Sequence, residues 1–237
     1  MVLVNPKAGR RAVDITRVRA AIQMAGIEGV ISVPDTLEEM IRSFSVAREN
    51  SVRHIAVVGG DGTANLAANA ILGLDWPEEP VLGILPAGTG CDLLRTFGLP
   101  QNLEEAARHL ATPETYRVDV GRLEGEFGAR HFLNVAQAGL GAGAVASAER
   151  LRRGWGKARY PLAFLRSLPA FPPAQIDLVG VNRRGEKNHQ QGKALAVIWA
   201  NAQFFAGGWN VAPRANLTDG RLDTQIIDTR KRRAPAL

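Results

Sequence analysis

The chain has 237 residues, 46% hydrophobic and 22% charged, and its 29 Lys and Arg outnumber 23 Asp and Glu for a net charge of +6. That composition can fill one large or two modest cores, and a single cysteine, Cys91, excludes an intramolecular disulfide and a Cys-based zinc cluster and points to a reducing cytoplasm. The positive balance asks for an anionic partner such as a nucleotide, an anionic lipid surface or nucleic acid, and no zinc-finger or RNA-recognition signature supports the last.

In chain order, residues 2–4 read as a strand, 11–25 as a helix, 29–33 as a strand and 36–49 as a helix opened by a capping box of Thr36 and Glu39. A strand at 54–58, a helix at 64–72, a strand at 81–85 and an amphipathic helix at 103–110 continue the alternation. This rhythm implies a parallel sheet flanked by helices, with ligands at the carboxyl ends of the strands, where Asn5, Gly59 and Pro86 fall. From about residue 115 the rhythm gives way to short β-rich runs at 116–120, 132–136, 175–181, 194–199 and 222–227, with a helical excursion over 144–168. The expected plan is an α/β nucleotide-binding domain over 1–114 followed by a mainly antiparallel β domain over 115–237.

No basic-then-apolar leader opens the sequence, so no secretory signal is expected. Residues 194–200 run directly into Asn201 and Gln203, short of the ~20 residues a membrane helix needs. Basic residues gather at 150–159, with Trp155 and Tyr160 among them, and again at 230–233. Cations interleaved with aromatics suit an anionic membrane interface; the plainer alternative is a solvated basic face.

The segment Val57-Val58-Gly59-Gly60-Asp61-Gly62-Thr63-Ala64-Asn65 lies where a strand pattern meets a helix pattern. Glycines there permit φ > 0 and let backbone N–H groups approach a phosphate, while the helix N-terminus adds partial positive charge. Asp61 cannot itself bind phosphate. A carboxylate beside phosphates holds a metal ion, orients a hydroxyl or accepts a proton from an attacking alcohol. The plainer alternative is a Gly-rich turn with Asp61 capping the helix.

This string resembles the nucleotide-binding signature shared by diacylglycerol kinases, sphingosine kinases, NAD kinases and phosphofructokinases. Asn5-Pro6-Lys7-Ala8-Gly9 resembles the opening motif of the diacylglycerol kinase catalytic family, and Pro86-Ala87-Gly88-Thr89-Gly90-Cys91-Asp92-Leu93-Leu94-Arg95 resembles its Pro-x-Gly-Thr-x-Asn-Asp-x-x-Arg block. Asp119-Val120-Gly121, then Phe132-Leu133-Asn134-Val135-Ala136, then Gly207-Gly208 through Leu217-Thr218-Asp219-Gly220-Arg221-Leu222-Asp223 follow in the order of bacterial lipid kinases. The resemblance implies an α/β domain followed by a β-sandwich, and ATP-dependent transfer of the γ-phosphoryl group to a lipid alcohol, diacylglycerol or a related long-chain alcohol. The protein would be cytoplasmic and peripherally associated with an anionic membrane.

By the same resemblance, Asn5, Pro6, Lys7, Ala8, Gly9, Gly59, Gly60, Asp61, Gly62 and Thr63 would surround the ATP phosphates, with Gly88 and the Thr89 hydroxyl beside the nucleotide. Asp61, Asp92 and Asp119 would serve catalysis near nucleotide, Mg2+ and the acceptor alcohol. Asp219, with the backbone carbonyls of Asn216 and Arg221, would hold a second, structural Mg2+, the alternative being a β-turn built on Asp219-Gly220.

Two departures qualify the resemblance. Cys91 stands where the family usually has Asn, exchanging an amide for a weakly hydrogen-bonding thiol, and a low-pKa reactive thiol is one expectation. Family members also continue for several further strands and carry an Asp-Gly-Glu turn whose Glu is the catalytic base; nothing after Asp223 provides it, and the basic residues 228–237 do not resemble the family's next strand. The chain as given is therefore expected to bind nucleotide, to turn lipid over slowly and to self-associate, as a homodimer or by aggregation, through exposed strand edges. The competing expectations are an NAD kinase-like enzyme and a catalytically weak nucleotide- or lipid-binding module.

Overall fold

A computed structural model describes residues 1–9, 12–87, 91–112, 114–139, 172–182 and 184–228. The helix expected at 144–168, the basic clusters at 150–159 and 230–233, and Gly88 and Thr89 lie outside the described residues.

The first elements are β1 (Val2–Val4), α1 (Ile15–Met24), β2 (Ile31–Ser32), α2 (Leu37–Glu49), β3 (His54–Gly59), α3 (Asp61–Leu72), β4 (Val81–Pro86), α4 (Asp92–Thr96) and α5 (Leu103–Leu110). The strands form one parallel sheet in the order β2-β1-β3-β4. On one face Val2, Val4, Val58 and Leu85 pack with Val18, Ala21 and Ile22 of α1 and with Leu103, Ala106 and Ala107 of α5. On the other, Leu3, Ile55 and Val57 pack with Met40, Phe44 and Ala47 of α2 and Ala67 of α3. A sheet covered on both faces needs apolar side chains at consecutive positions, which is why these strands read as unbroken apolar runs.

Side-chain caps set the helix starts. Asp14, Thr36 and Asn102 accept the N–H groups of Arg17, Glu39 and Glu105 at the openings of α1, α2 and α5. The Asp14 cap begins α1 at Ile15, inside the 11–25 span expected, and Glu39 closes its capping box on the N–H of Asp35.

The remaining elements are β5 (Gly121–Gly125), β6 (Gly128–Phe132), β7 (Val135–Gly139), β8 (Ala174–Val181), β9 (Lys187–Ala200), β10 (Phe204–Phe205), β11 (Trp209–Asn210) and β12 (Asp223–Asp228). The strand expected at 116–120 is not formed; β5 begins at Gly121 and pairs with β6 as a hairpin. Tyr116 and Val118 are exposed there, so no sheet face rewards the pairing. The strand expected at 132–136 divides into β6 and β7 because Leu133 and Asn134 give their backbone groups to side chains and to the chain at Asn201 instead of to a ladder.

Two compact units result, Met1–Asn134 with Asn201–Leu222, and Val135–Ala200 with Asp223–Leu237. In the second, β7, β8 and β12 all pair antiparallel with β9. The half of β9 flanked by β7 and β12 buries Ala194, Leu195, Ala196, Val197, Ile198 and Ala200.

Candidate functional site

The carboxyl edge of the parallel sheet gathers the sequence motifs. Gly59 ends β3 beside Pro86 of β4, and its carbonyl accepts the N–H of Ala87 at 2.9 Å. Asn5, just past β1, donates its own N–H to the Val58 carbonyl at 3.1 Å and its side-chain Nδ2 to Thr63 Oγ1 at 2.9 Å. Thr63 is buried directly over Gly59: a Cβ on Gly59 would come within 2.7 Å of Thr63 Cγ2 and overlap its Cβ and Oγ1. Ala8 is buried and donates to the Asn5 carbonyl, Pro6 accepts from Val13, and Gly9 takes φ +80. Lys7 is exposed, and its Nζ donates to the Asp35 carbonyl at 3.0 Å.

The positive φ expected at the Gly59–Gly62 turn is absent; Gly60 sits at φ −110, ψ −167. The strand enters α3 through an extended N-cap, a conformation that needs no left-handed residue. What Gly60 and Gly62 provide is space, since an added Cβ at either meets nothing within 4 Å. No side chain caps α3, and the N–H groups of Thr63 and Ala64 turn back to the Gly60 carbonyl. At the N-terminus of this twelve-residue helix Gly60 and Gly62 thus carry no side chain and Asp61 between them turns its carboxylate to Asp92 and Leu93, which leaves backbone N–H groups and the helix dipole to meet an anion.

Asp61 caps a helix, but not its own. Its Oδ2 accepts the N–H of Asp92 at 3.0 Å, and its Oδ1 accepts the N–H of Leu93 at 3.0 Å, the Cys91 thiol at 3.4 Å and Asn134 Nδ2 at 3.3 Å. These are the first N–H groups of α4, whose own N-cap position, Cys91, supplies no cap bond. Cys91 is itself buried, and desolvation with the nearby Asp61 charge pushes its thiol up to about 12. The reactive low-pKa thiol expected from the sequence is therefore overturned.

Asp92, 2% exposed, accepts the N–H of Gly207 at 2.7 Å through Oδ2 and approaches Arg95 Nε at 3.5 Å through Oδ1. The guanidinium of Arg95 lies over the Phe204 ring, 5.8 Å from its centroid, so α4 grips the β10–β11 hairpin by charge and by stacking. Asp119 accepts the N–H of Gly220 at 2.6 Å, and its own N–H donates to Leu217. Each of the three expected catalytic carboxylates thus holds a different backbone segment. Among the described residues, no group of three or more His, Cys, Asp or Glu side chains gathers as a metal cage.

Four asparagines to which the sequence assigns no role organise the same region: Asn65 and Asn134 lie inside the motifs, Asn69 and Asn201 outside them. Asn65 Oδ1 accepts the N–H of Leu133, and Asn69 both accepts from and donates to the backbone of His131. With Asp61 bound to Asn134, the i, i+4, i+8 stripe of α3 serves as a ladder partner for residues 131–134. Asn201 ties the backbone of Asp119 to that of Leu133. Besides the motif positions of Asn65 and Asn134, the sequence signal is the Asp61, Asn65, Asn69 spacing on an otherwise Ala- and Leu-rich helix. In the turn beyond β11, Asn216 Oδ1 accepts from the N–H and hydroxyl of Thr218, Gly220 takes φ +67, and Asp219 Oδ1 is buried without a donor.

The family described as the diacylglycerol kinase catalytic domain matches residues 1–123, and the one described as the YegS C-terminal NAD kinase beta sandwich-like domain matches residues 134–236. "Probable lipid kinase YegS" of Escherichia fergusonii is 30% identical over 221 residues, covering 92% of this chain and 71% of that protein. "Lipid kinase YegS" of Escherichia coli K12 is 29% identical over the same extent. A solved Bacillus anthracis Sterne structure described as a diacylglycerol kinase superposes with TM-score 0.69 at 24% identity, covering 97% of this chain and 75% of that one, and another from the same strain reaches 0.74 at 24% identity, covering 97% and 74%. The parallel sheet, the motif-bearing edge and these matches agree: the chain belongs to the diacylglycerol kinase catalytic-domain family of lipid kinases.

Proposed function

We propose that this chain transfers the γ-phosphoryl group of ATP to the hydroxyl of a lipid alcohol, diacylglycerol or a related long-chain alcohol. The observation that carries the reading is the opening of α3, where Gly60 and Gly62 leave free space and Asp61 between them turns its carboxylate to α4, backed by the Asn5–Thr63 hydrogen bond. Phosphoryl transfer depends chiefly on positioning and charge neutralisation, and such an opening holds phosphate oxygens on backbone donors. Asp61 fixes the start of α4 by accepting the N–H groups of Asp92 and Leu93, so its part is to hold that helix in place beside the α3 N-terminus. Asp119, whose Oδ2 is engaged by Gly220, is the carboxylate best suited to orient an acceptor hydroxyl.

The Asp219 turn fits the expected structural Mg2+. Its buried Oδ1 lacks a donor, and a carboxylate with the carbonyls of Asn216 and Arg221 forms a hard, oxygen-only donor set. A cation held there would neutralise the carboxylate and rigidify the turn that contacts Asp119. The net charge of +6 favours contact with an anionic membrane, where lipid alcohols reside. Among the described residues no helix is long and apolar enough to cross a membrane.

The test is an acceptor panel with γ-labelled ATP: diacylglycerol in mixed micelles, a long-chain alcohol, and NAD. Label in the diacylglycerol or long-chain alcohol product supports the reading; label in NAD alone replaces it with the NAD kinase-like alternative.

A further inference from the structure

Asn201 is completely buried, at 0% exposure. Its Nδ2 donates to the carbonyls of Asp119 and Leu133, each at 2.8 Å. These bonds fix the amide's orientation, because an oxygen turned toward two carbonyls would face only lone pairs. Oδ1 therefore points away from both, and no donor reaches it. A buried amide oxygen without a partner marks a place where a water or an ion belongs.

The other buried side-chain oxygen without a donor among the described residues is Asp219 Oδ1. Both orphans belong to segments held to Asp119. Asn201 holds its carbonyl, Leu217 accepts its N–H at 2.6 Å, and Gly220, next to Asp219, donates to its Oδ2 at 2.6 Å. Each acceptor calls for an occupant that offers it positive charge or protons, and the shared anchor at Asp119 makes one occupant for both the economical reading.

We infer that Asn201 Oδ1 is a further oxygen of the cation position at Asp219, reached through one ion-bound water; the inference rests on the cation proposed there. A carboxylate, backbone carbonyls and an amide oxygen suit a hard divalent ion, and a small one keeps several of its waters. The amide that meets the water on one side grips Leu133 on the other. Asn134 follows, its carbonyl accepting the Asn201 N–H and its side chain donating to Asp61. Asn201 is thus a positioning residue that joins the cation to the carboxylate capping α4.

The direct test soaks crystals of the chain in Mn2+ and locates the ion by anomalous scattering. The expected peak lies about 2.2 Å from Asp219 Oδ1 and about 4–5 Å from Asn201 Oδ1, with a water between them. An ion at Asp219 but beyond about 6 Å from Asn201 Oδ1 overturns the inference and leaves the cation reading standing; no ion at Asp219 overturns both. In solution, Asn201→Leu should weaken Mn2+ binding, read by thermal-shift titration, at least about tenfold. An unchanged Mn2+ affinity in a folded Asn201→Leu chain would mean that Asn201 only braces the backbone. If that variant does not fold, the ion position decides alone.

Discussion

Gly59→Ala is expected to destabilise the chain while the neighbouring Gly60→Ala is not. The Cβ on residue 59 would overlap Thr63 Cβ and Oγ1 and lie 2.7 Å from Cγ2, and Thr63, 5% exposed, has little room to withdraw. Overpacking of a close-packed site costs about 1–3 kcal/mol. Displacing Thr63 also breaks the 2.9 Å bond from Asn5 Nδ2, worth about 1 kcal/mol. The sum, about 2–4 kcal/mol, corresponds to a melting temperature lower by roughly 5–15 °C for a chain of this size. Residue 60 meets nothing within 4 Å and has an ordinary extended φ of −110, so Ala there should stay within about 0.5 kcal/mol of wild type. Every helix among the described residues lies in the first compact unit, so thermal melts followed by helical circular dichroism report on it. A Gly59→Ala chain as stable as wild type, or a Gly60→Ala chain equally damaged, would refute this account of the turn.

Asp61→Asn should lower stability by about 2 kcal/mol, because a charged cap on two backbone N–H groups is lost; full stability with abolished phosphoryl transfer would instead make Asp61 a reacting group. The Cys91 thiol should resist thiol-specific reagents in the folded chain at pH 8 and react only on unfolding, and stoichiometric native labelling would contradict its burial. Its raised pKa also sets a sign: the neutral thiol's stability is fully present below pH 9.0 and is lost as pH rises toward about 12. Wild type should therefore lose up to about 1.4 kcal/mol per pH unit more than Cys91→Ala across that window, and parallel curves in denaturant titrations would count against it. Asp219→Ala should lower the melting temperature more in Mg2+ than in EDTA, whereas equal losses would reduce the site to a β-turn.

What the sequence revealed was mostly local. The β1–β4 alternation was readable because a sheet buried on both faces writes its burial into consecutive apolar residues, and α5 because its apolar stripe and Asn102 cap lie within one short segment. The Gly59–Thr63 turn was readable for the same reason, yet the purpose of its glycines was not: the left-handed backbone inferred there is an open extended one. Partners far along the chain stayed hidden. Asp61 finds Cys91, Asp92, Leu93 and Asn134 only once α4 and the segment after β6 have packed, and Asp92 finds Gly207 across 115 positions. Nor does periodicity tell that residues 201–222 belong to the first compact unit, since that follows from buried contacts of Ala202 and Leu217 with Ala64, Cys91 and Leu94.

The central claim is that nucleotide phosphates lie on the open N-terminus of α3, and ATP binding by Gly60→Val tests it most directly. Residue 60 is extended and unobstructed, so a β-branched side chain fits the fold but fills the space a phosphate would occupy. Calorimetric titration should give a chain that melts with wild type and binds ATP at least about a hundredfold more weakly, the loss of two or more charge-assisted hydrogen bonds. A folded Gly60→Val chain with wild-type ATP affinity would contradict the account.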